Sequence, residues 1–325
     1  MIYILANANA VSGGPELSHQ LCHKLADLGY NSKMIYFNKL RFPSKKVSDE
    51  LLSAYSCYNC NIAEKLEDKC ENSIIIPETC LYFLPKFKHM KKVIWWMSVD
   101  NYYITMRNPY AKFYAPFGMN SLKYNPFIND YIHCYQSEYA RQFLLSKGIN
   151  EDKIVALSDY LSEEFIDGAI NENNYEKLNN VLYNPKKGFF ITEKIIKLAP
   201  SINWIPLEGM THSQMAQLMM KSKVYIDFGN HPGKDRIPRE AAICGCCIIT
   251  NCSGSAENSI DVPIRKKFKY NLEECELSAI IDRIYECMNN YEINREEFAF
   301  YRRKIRKEEE IFNNEVKILG KMLEG

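Results

Sequence analysis

Val224-Tyr225-Ile226-Asp227-Phe228, Gly229-Asn230-His231-Pro232-Gly233-Lys234-Asp235-Arg236-Ile237-Pro238-Arg239-Glu240-Ala241-Ala242 and Cys247-Ile248-Ile249-Thr250 are the three consecutive runs that decide the fold class of this chain. The first is a short β-branched and aromatic run, the second a glycine-containing loop leading into a helix around Ile237 to Ile243, and the third a second strand. Strand, loop, helix, strand is the repeating unit of a parallel sheet with helices on its faces.

The same alternation extends outward. Upstream lie a strand at Val181-Leu182-Tyr183, a helix from Lys187 to about Leu198, a strand from Ile202 to Ile205 and a helix starting at Thr211, where Thr211 and Gln214 form a capping box. Downstream, 273–290 and 294–323 read as two charged helices, the second of a solvated or domain-bridging kind. The first half repeats the theme. Ile2 to Ala6 forms a strand, Asn7 to Gly14 a polar loop, and the next helix places Pro15 at its first position, Leu17, Leu21, Leu25 and Leu28 on one face, and Gly29 at its end. Residues 31–37, Ser73 to Ile76, Val93 to Met97, Tyr131 to Tyr135 and Lys153 to Leu157 read as further strands, with a helix opened by Ser137 and closed near Gly148. The acidic, asparagine-rich segment 158–178 divides the two halves. The expectation is therefore α/β, with two Rossmann-like domains, 1–160 and 161–325, facing across a cleft, and a final helix 294–323 packing back on the first.

Length and composition agree with this. At 325 residues the chain exceeds what one core usually serves. A net charge of +1 argues against nucleic acid as the main partner. The N-terminus lacks a signal peptide pattern and no window is apolar enough to span a bilayer, so a cytoplasmic location is expected. Twelve cysteines then read as reduced, buried thiols. Cys57, Cys60, Cys70 and Cys80 are zinc-type ligands, but their later spacings are too loose for a structural site.

Ligands in open α/β folds bind at the carboxyl ends of the strands, so the loops there are the candidates. In Gly229–Ala242 a strand gives way to a helix, and free backbone N–H groups meet the positive helix end. Lys234, Arg236 and Arg239 add positive charge, and Glu240 is an acceptor suited to ribose hydroxyls. A surface helix start with ordinary salt bridges is the plainer alternative.

This stretch, through Cys244-Gly245-Cys246-Cys247 and Ser253-Gly254-Ser255-Ala256-Glu257, resembles the donor site of GT-B glycosyltransferases, notably family 4. Tyr183-Asn184-Pro185-Lys186-Lys187-Gly188 is similar to the family's Lys-Gly at the start of the first donor-domain helix, and Gly13-Gly14 to the paired glycines of its first loop. The resemblance implies a donor site made of Lys186, Lys187, Gly233, Lys234, Asp235, Arg236, Arg239, Glu240, Gly254, Ser255 and Glu257, with Gly13 and Gly14 in the acceptor or phosphate loop. It implies transfer of a sugar from a nucleotide sugar to a glycan, lipid-linked or protein acceptor, with retained anomeric configuration and no metal or cofactor. An inactive binding or chaperone subunit of the same fold is the alternative. The chain departs from the family at one point: if Glu240 is the second Glu of the Glu-x7-Glu pattern, the first falls on Pro232. Sugar contacts then pass to the backbone of Gly233 and Lys234 or to Asp235.

On the acceptor side, Asp100 follows the strand ending at Met97, where the family carries a catalytic His or acidic residue. A carboxylate there can accept a hydroxyl proton, and Asp is equally a common helix N-cap. The aromatic region Tyr102 to Tyr135, with Arg107, Lys112 and Lys123, and the basic run Lys86 to Lys92 suit sugar platforms or contact with the inner face of a membrane, with core packing of the rings and an ordinary solvated surface as the plainer readings.

Overall fold

The structure is a computed structural model that describes residues 1–38, 42–107, 122–123, 125–170 and 175–324. Of the residues singled out above, Lys112 and the part of the aromatic region at 108–121 and 124 lie outside them. The chain divides into two compact units, Met1–Asp159 with Glu310–Gly325, and Tyr160–Glu309.

The first unit contains β1 (Ile2–Asn7), α1 (Gly13–Asp27), β2 (Ser32–Phe37), α2 (Asp49–Ala54), β3 (Ser73–Pro77), β4 (Lys91–Trp96), α3 (Val99–Arg107), β5 (Ile132–Tyr135), α4 (Glu138–Ser146) and β6 (Ile154–Ala156). Among the described residues its strands form one parallel sheet in the order β2-β1-β3-β4-β5-β6. Strands covered on both faces must be apolar throughout, and Val93, Ile94, Trp95 and Trp96 of β4 are all buried.

The second unit contains α5 (Glu163–Ile170), β7 (Leu178–Tyr183), α6 (Phe189–Leu198), β8 (Asn203–Pro206), α7 (His212–Met220), β9 (Ser222–Asp227), α8 (Arg236–Ile243), β10 (Cys247–Asn251), β11 (Lys269–Tyr270), α9 (Leu277–Asn289), α10 (Tyr291–Glu296) and α11 (Ala299–Arg306). Its sheet is also parallel, in the order β11-β10-β9-β7-β8. Its core gathers Val181, Leu182, Val224, Tyr225, Ile248 and Ile249 from the strands with Ile195, Met219 and Ala241 from the helices.

A last helix, α12 (Glu308–Glu324), begins in the second unit and from Glu310 belongs to the first. There Glu315 accepts hydrogen bonds from Ser158 N at 2.6 Å and Ser158 Oγ at 2.7 Å, and Gly320 leaves room for the Tyr30 ring. The stretch 294–323 is thus not one helix, as its charge pattern implied. Phe298, Tyr301 and Ile305 fill the second core, while the buried Phe312, Val316 and Leu319 lie in the part assigned to the first unit, and the chain breaks at Lys307 between them. A second correction concerns α1, which starts at Gly13 behind the N-cap Ser12. Pro15 is therefore its third residue, and Gly13-Gly14 form its first turn rather than the end of a loop. The caps read from sequence are present: Ser137 Oγ accepts from Ala140 N, and Thr211 with Gln214 makes the capping box.

Candidate functional site

In the second sheet β8 lies on one side of β7 and β9 on the other, so the winding reverses between β7 and β9. Adjacent loops leave such a reversal in opposite directions and open a crevice at the carboxyl ends of the strands. Three loops meet there. Gly188, which follows β7, has φ of 62°, and a Cβ on it would overlap the Phe228 carbonyl carbon. Gly229, which follows β9, would place a Cβ 2.5 Å from Lys187 Cβ. The two backbones are pressed together because neither position carries a side chain. Gly254, after β10, has φ of 56° and faces the His231 carbonyl. Ser255 N donates to His231 O at 2.8 Å, Ser255 Oγ to Gly233 O at 2.5 Å, and Asn251 Nδ2 to Gly229 O at 2.9 Å. The loop 228–235 is thereby fixed from both flanks.

On this frame sits a cluster of four ionisable side chains. Lys187 Nζ lies 3.2 and 3.1 Å from Asp235 Oδ1 and Oδ2, and His231 Nδ1 lies 2.9 Å from the same Oδ2. Asp227, at the end of β9, accepts from Tyr225 OH at 2.8 Å and from Gly229 N at 3.0 Å. Burial drives the Asp227 carboxyl up despite the opposing pull of His231. Burial also pushes Asp235 up, but His231 and Lys187 outweigh it and hold the carboxyl below its usual range. For His231 burial disfavours the charge, yet the Asp235 hydrogen bond and the Asp227 charge prevail and its pKa is raised.

Asp227, His231 and Asp235 bring atoms of ligating type within 4.8 Å of one another. Every carboxylate oxygen among them already faces a donor, and Lys187 supplies positive charge beside them. Hydrogen bonds and the Lys187 ion pair thus hold these side chains to one another.

The remaining residues of the quoted loop divide by burial. Arg239 is 1% exposed; its Nη1 donates to Glu308 Oε2 at 2.7 Å, Nη2 to Lys234 O and Nε to Asp235 O. Lys234 Nζ reaches Glu308 Oε1 at 3.1 Å. Both cations are bound to the start of α12, and they hold the loop from behind. Glu240 is buried on α8 with Oε1 3.6 Å from Arg236 Nε. Asp235 is the N-cap residue of α8, but its side chain makes no cap hydrogen bond, so it leaves the first-turn N–H groups to other acceptors. Gly233 is buried, while Lys186 and Glu257 are exposed at the ends of their loops.

The first sheet reverses between β1 and β3. Gly14 there has open space, the nearest atom to a Cβ being Met97 Cε at 4.0 Å, and Gly13 has none within contact. Asp100 lies half-buried in the first turn of α3, whose start is held by Ser98 Oγ accepting from Asn101 N at 3.2 Å. Sequence reading passed over Glu78, which follows β3. It is 2% exposed, accepts from Met97 N at 3.1 Å, and is pushed by burial up to about 7. Sequence reading also left His231, Asp227 and Glu308 without roles, although His231 and Asp235 stand four residues apart in the quoted loop.

Cys57, Cys60, Cys70 and Cys80 do not gather: Cys57 and Cys70 are exposed, Cys60 Sγ donates to His19 O at 3.3 Å, and Cys80 is buried in the first core. Among the described residues no helix is long and apolar enough to cross a membrane.

No protein-family model matches the sequence, and no curated protein matches it. Solved structures do. A glycosyltransferase of Rickettsia africae superposes with a TM-score of 0.67 at 14% identity, over 99% of this chain and 98% of that one. HepE of Anabaena, solved with UDP-glucose, gives 0.66 at 10% identity, over 98% and 99%. Sucrose-phosphate synthase of Thermosynechococcus elongatus gives 0.64 at 12% identity, over 99% and 98%. Two parallel sheets with flanking helices, matched end to end by these proteins, give this chain the GT-B fold of glycosyltransferases.

Proposed function

We propose that this chain transfers a sugar from a nucleotide-sugar donor, bound at the carboxyl ends of β7, β9 and β10, to a hydroxyl group of a glycan, a lipid-linked acceptor or a protein. One observation carries the reading. At the strand reversal a lysine, Lys187, touches Asp235, the N-cap residue of a helix whose first N–H groups that side chain does not cap, on loops locked by Gly188 and Gly229. A cation held at the start of a helix, where the axis ends positive, is the arrangement that binds a diphosphate and stabilises it as it departs with negative charge. In this reading Glu240 holds the ribose, the backbone of Gly233 and Lys234 faces the sugar, and Asp100 serves the acceptor. Neutralisation of the leaving group by side chains in place of a divalent cation, and retention at the anomeric carbon, belong to the same proposal.

HepE was solved with UDP-glucose, with UDP, and with UDP and glucose, so uridine nucleotides are the first to test. In a thermal-shift screen of sugar nucleotides, a matching donor raises the melting temperature, and the more so the tighter it binds. The expected result is stabilisation by one nucleotide class and release of its nucleoside diphosphate when acceptor is added. A chain stabilised by none of the uridine, guanosine or adenosine diphosphate sugars would not be this enzyme.

A further inference from the structure

Asp235 Oδ2 is shared by two basic side chains. Lys187 Nζ lies 3.1 Å from it and His231 Nδ1 2.9 Å, the first arriving from the loop after β7 and the second from the loop after β9. His231 is fully buried, and its Nε2 has no hydrogen-bond partner among the described residues. The charged and titratable groups facing its ring are Asp235 before α8, Asp227 at the end of β9, and Lys187. A ring without solvent access and with one nitrogen on a carboxylate does not itself touch a ligand in this conformation. Its reach is through the oxygen it shares.

We infer that His231 is the positioning residue of the diphosphate site: by taking up the charge of Asp235 it lets Lys187 turn from that carboxylate to an anionic ligand. The inference rests on the function proposed above. With His231 charged, Asp235 keeps one counter-charge when Lys187 leaves it. With His231 neutral, Lys187 is the sole counter-charge of a buried carboxylate, and drawing it away would leave that charge uncompensated at high cost. The raised pKa of His231 is the other side of the same coupling. A group whose pKa is raised gives its effect fully below its ordinary value and loses it as pH rises through the raised one. Diphosphate binding should therefore be strong at mildly acidic and neutral pH and fade on the alkaline side, while binding of the bare nucleoside should not follow.

The test is calorimetric titration of wild type and His231→Gln with uridine, guanosine and adenosine diphosphates and the matching nucleosides from pH 6 to 9, each variant judged against wild type at the same pH so that the ligand's own ionisation cancels. Expected is a loss of about tenfold in diphosphate affinity for wild type across the titration of His231, the factor carried by one pH unit of proton linkage. His231→Gln should be weak at every pH and flat, with nucleoside affinity unchanged. A folded His231→Gln that binds the diphosphate as wild type does, with the same pH profile, overturns the inference and leaves the proposed function standing. Wild type that binds no diphosphate overturns both. Should His231→Gln not fold, wild type still decides. The chain has six histidines, and the imidazole resonance of His231, followed by NMR, should titrate higher in the presence of diphosphate because Lys187 has left Asp235. An unmoved titration under saturating ligand contradicts the proposal.

Discussion

The two sheets each reverse their winding once, and the two reversals are built differently. At the second, Gly188, Gly229 and Gly254 press three loops into one backbone block that holds buried His231 and Asp227 and largely buried Asp235, with half-exposed Lys187 at their edge. At the first, Gly13 and Gly14 have free space around them, and the buried carboxyl of Glu78 faces backbone N–H groups. A rigid, multiply charged surface suits a ligand that never varies, such as a nucleoside diphosphate. An open first turn leaves room for an acceptor.

The largest effect that would break this contrast is expected at Arg239. Arg239→Met removes the partner of buried Glu308 and leaves Lys234 to neutralise it alone, which should cost about 3–5 kcal/mol. Denaturant titration measures it; a loss of under 1 kcal/mol would mean that the block does not depend on α12.

Gly188→Ala comes next. It forces a Cβ into the Phe228 carbonyl at a positive φ and should destabilise the protein by about 1–3 kcal/mol, whereas Gly14→Ala, with only a 4.0 Å contact, should change stability by less than about 0.5 kcal/mol. Equal effects of the two substitutions on the melting temperature would erase the distinction between the reversals.

Glu78 sharpens it by pH. Its carboxyl is raised to about 7, so its contribution is fully present below the ordinary carboxylate pKa and lost as pH rises through 7. Glu78→Gln should be nearly silent at pH 5 and more stable than wild type at pH 8, by about 1–3 kcal/mol. A variant less stable than wild type at pH 8 would show that the charged form is favoured there.

What the sequence disclosed, and what it hid, follows the same division between local and distant causes. The Thr211 and Gln214 capping box, the Ser137 cap and the strand at Val224 to Asp227 rest on neighbours a few residues away, and they were legible. The break at Lys307 was not, because it arises where one charged stretch serves two cores. Arg239 and Lys234 read as free positive charge for a ligand, and only the fold brings Glu308 to both, 69 residues beyond Arg239. Glu78 follows β3 in a stretch with no polar clustering, and its bond from Met97 N comes from the turn after β4, which the fold brings to it.

The central claim is that the cluster at the second reversal is a diphosphate site gripped by Lys187. Calorimetry on Lys187→Ala with a nucleoside diphosphate and with the bare nucleoside tests it most directly. The account predicts a loss of about 1.5–3 kcal/mol for the diphosphate, the worth of a charge-assisted hydrogen bond, and almost none for the nucleoside. Equal losses for both ligands, or undiminished diphosphate affinity in the folded variant, would contradict it.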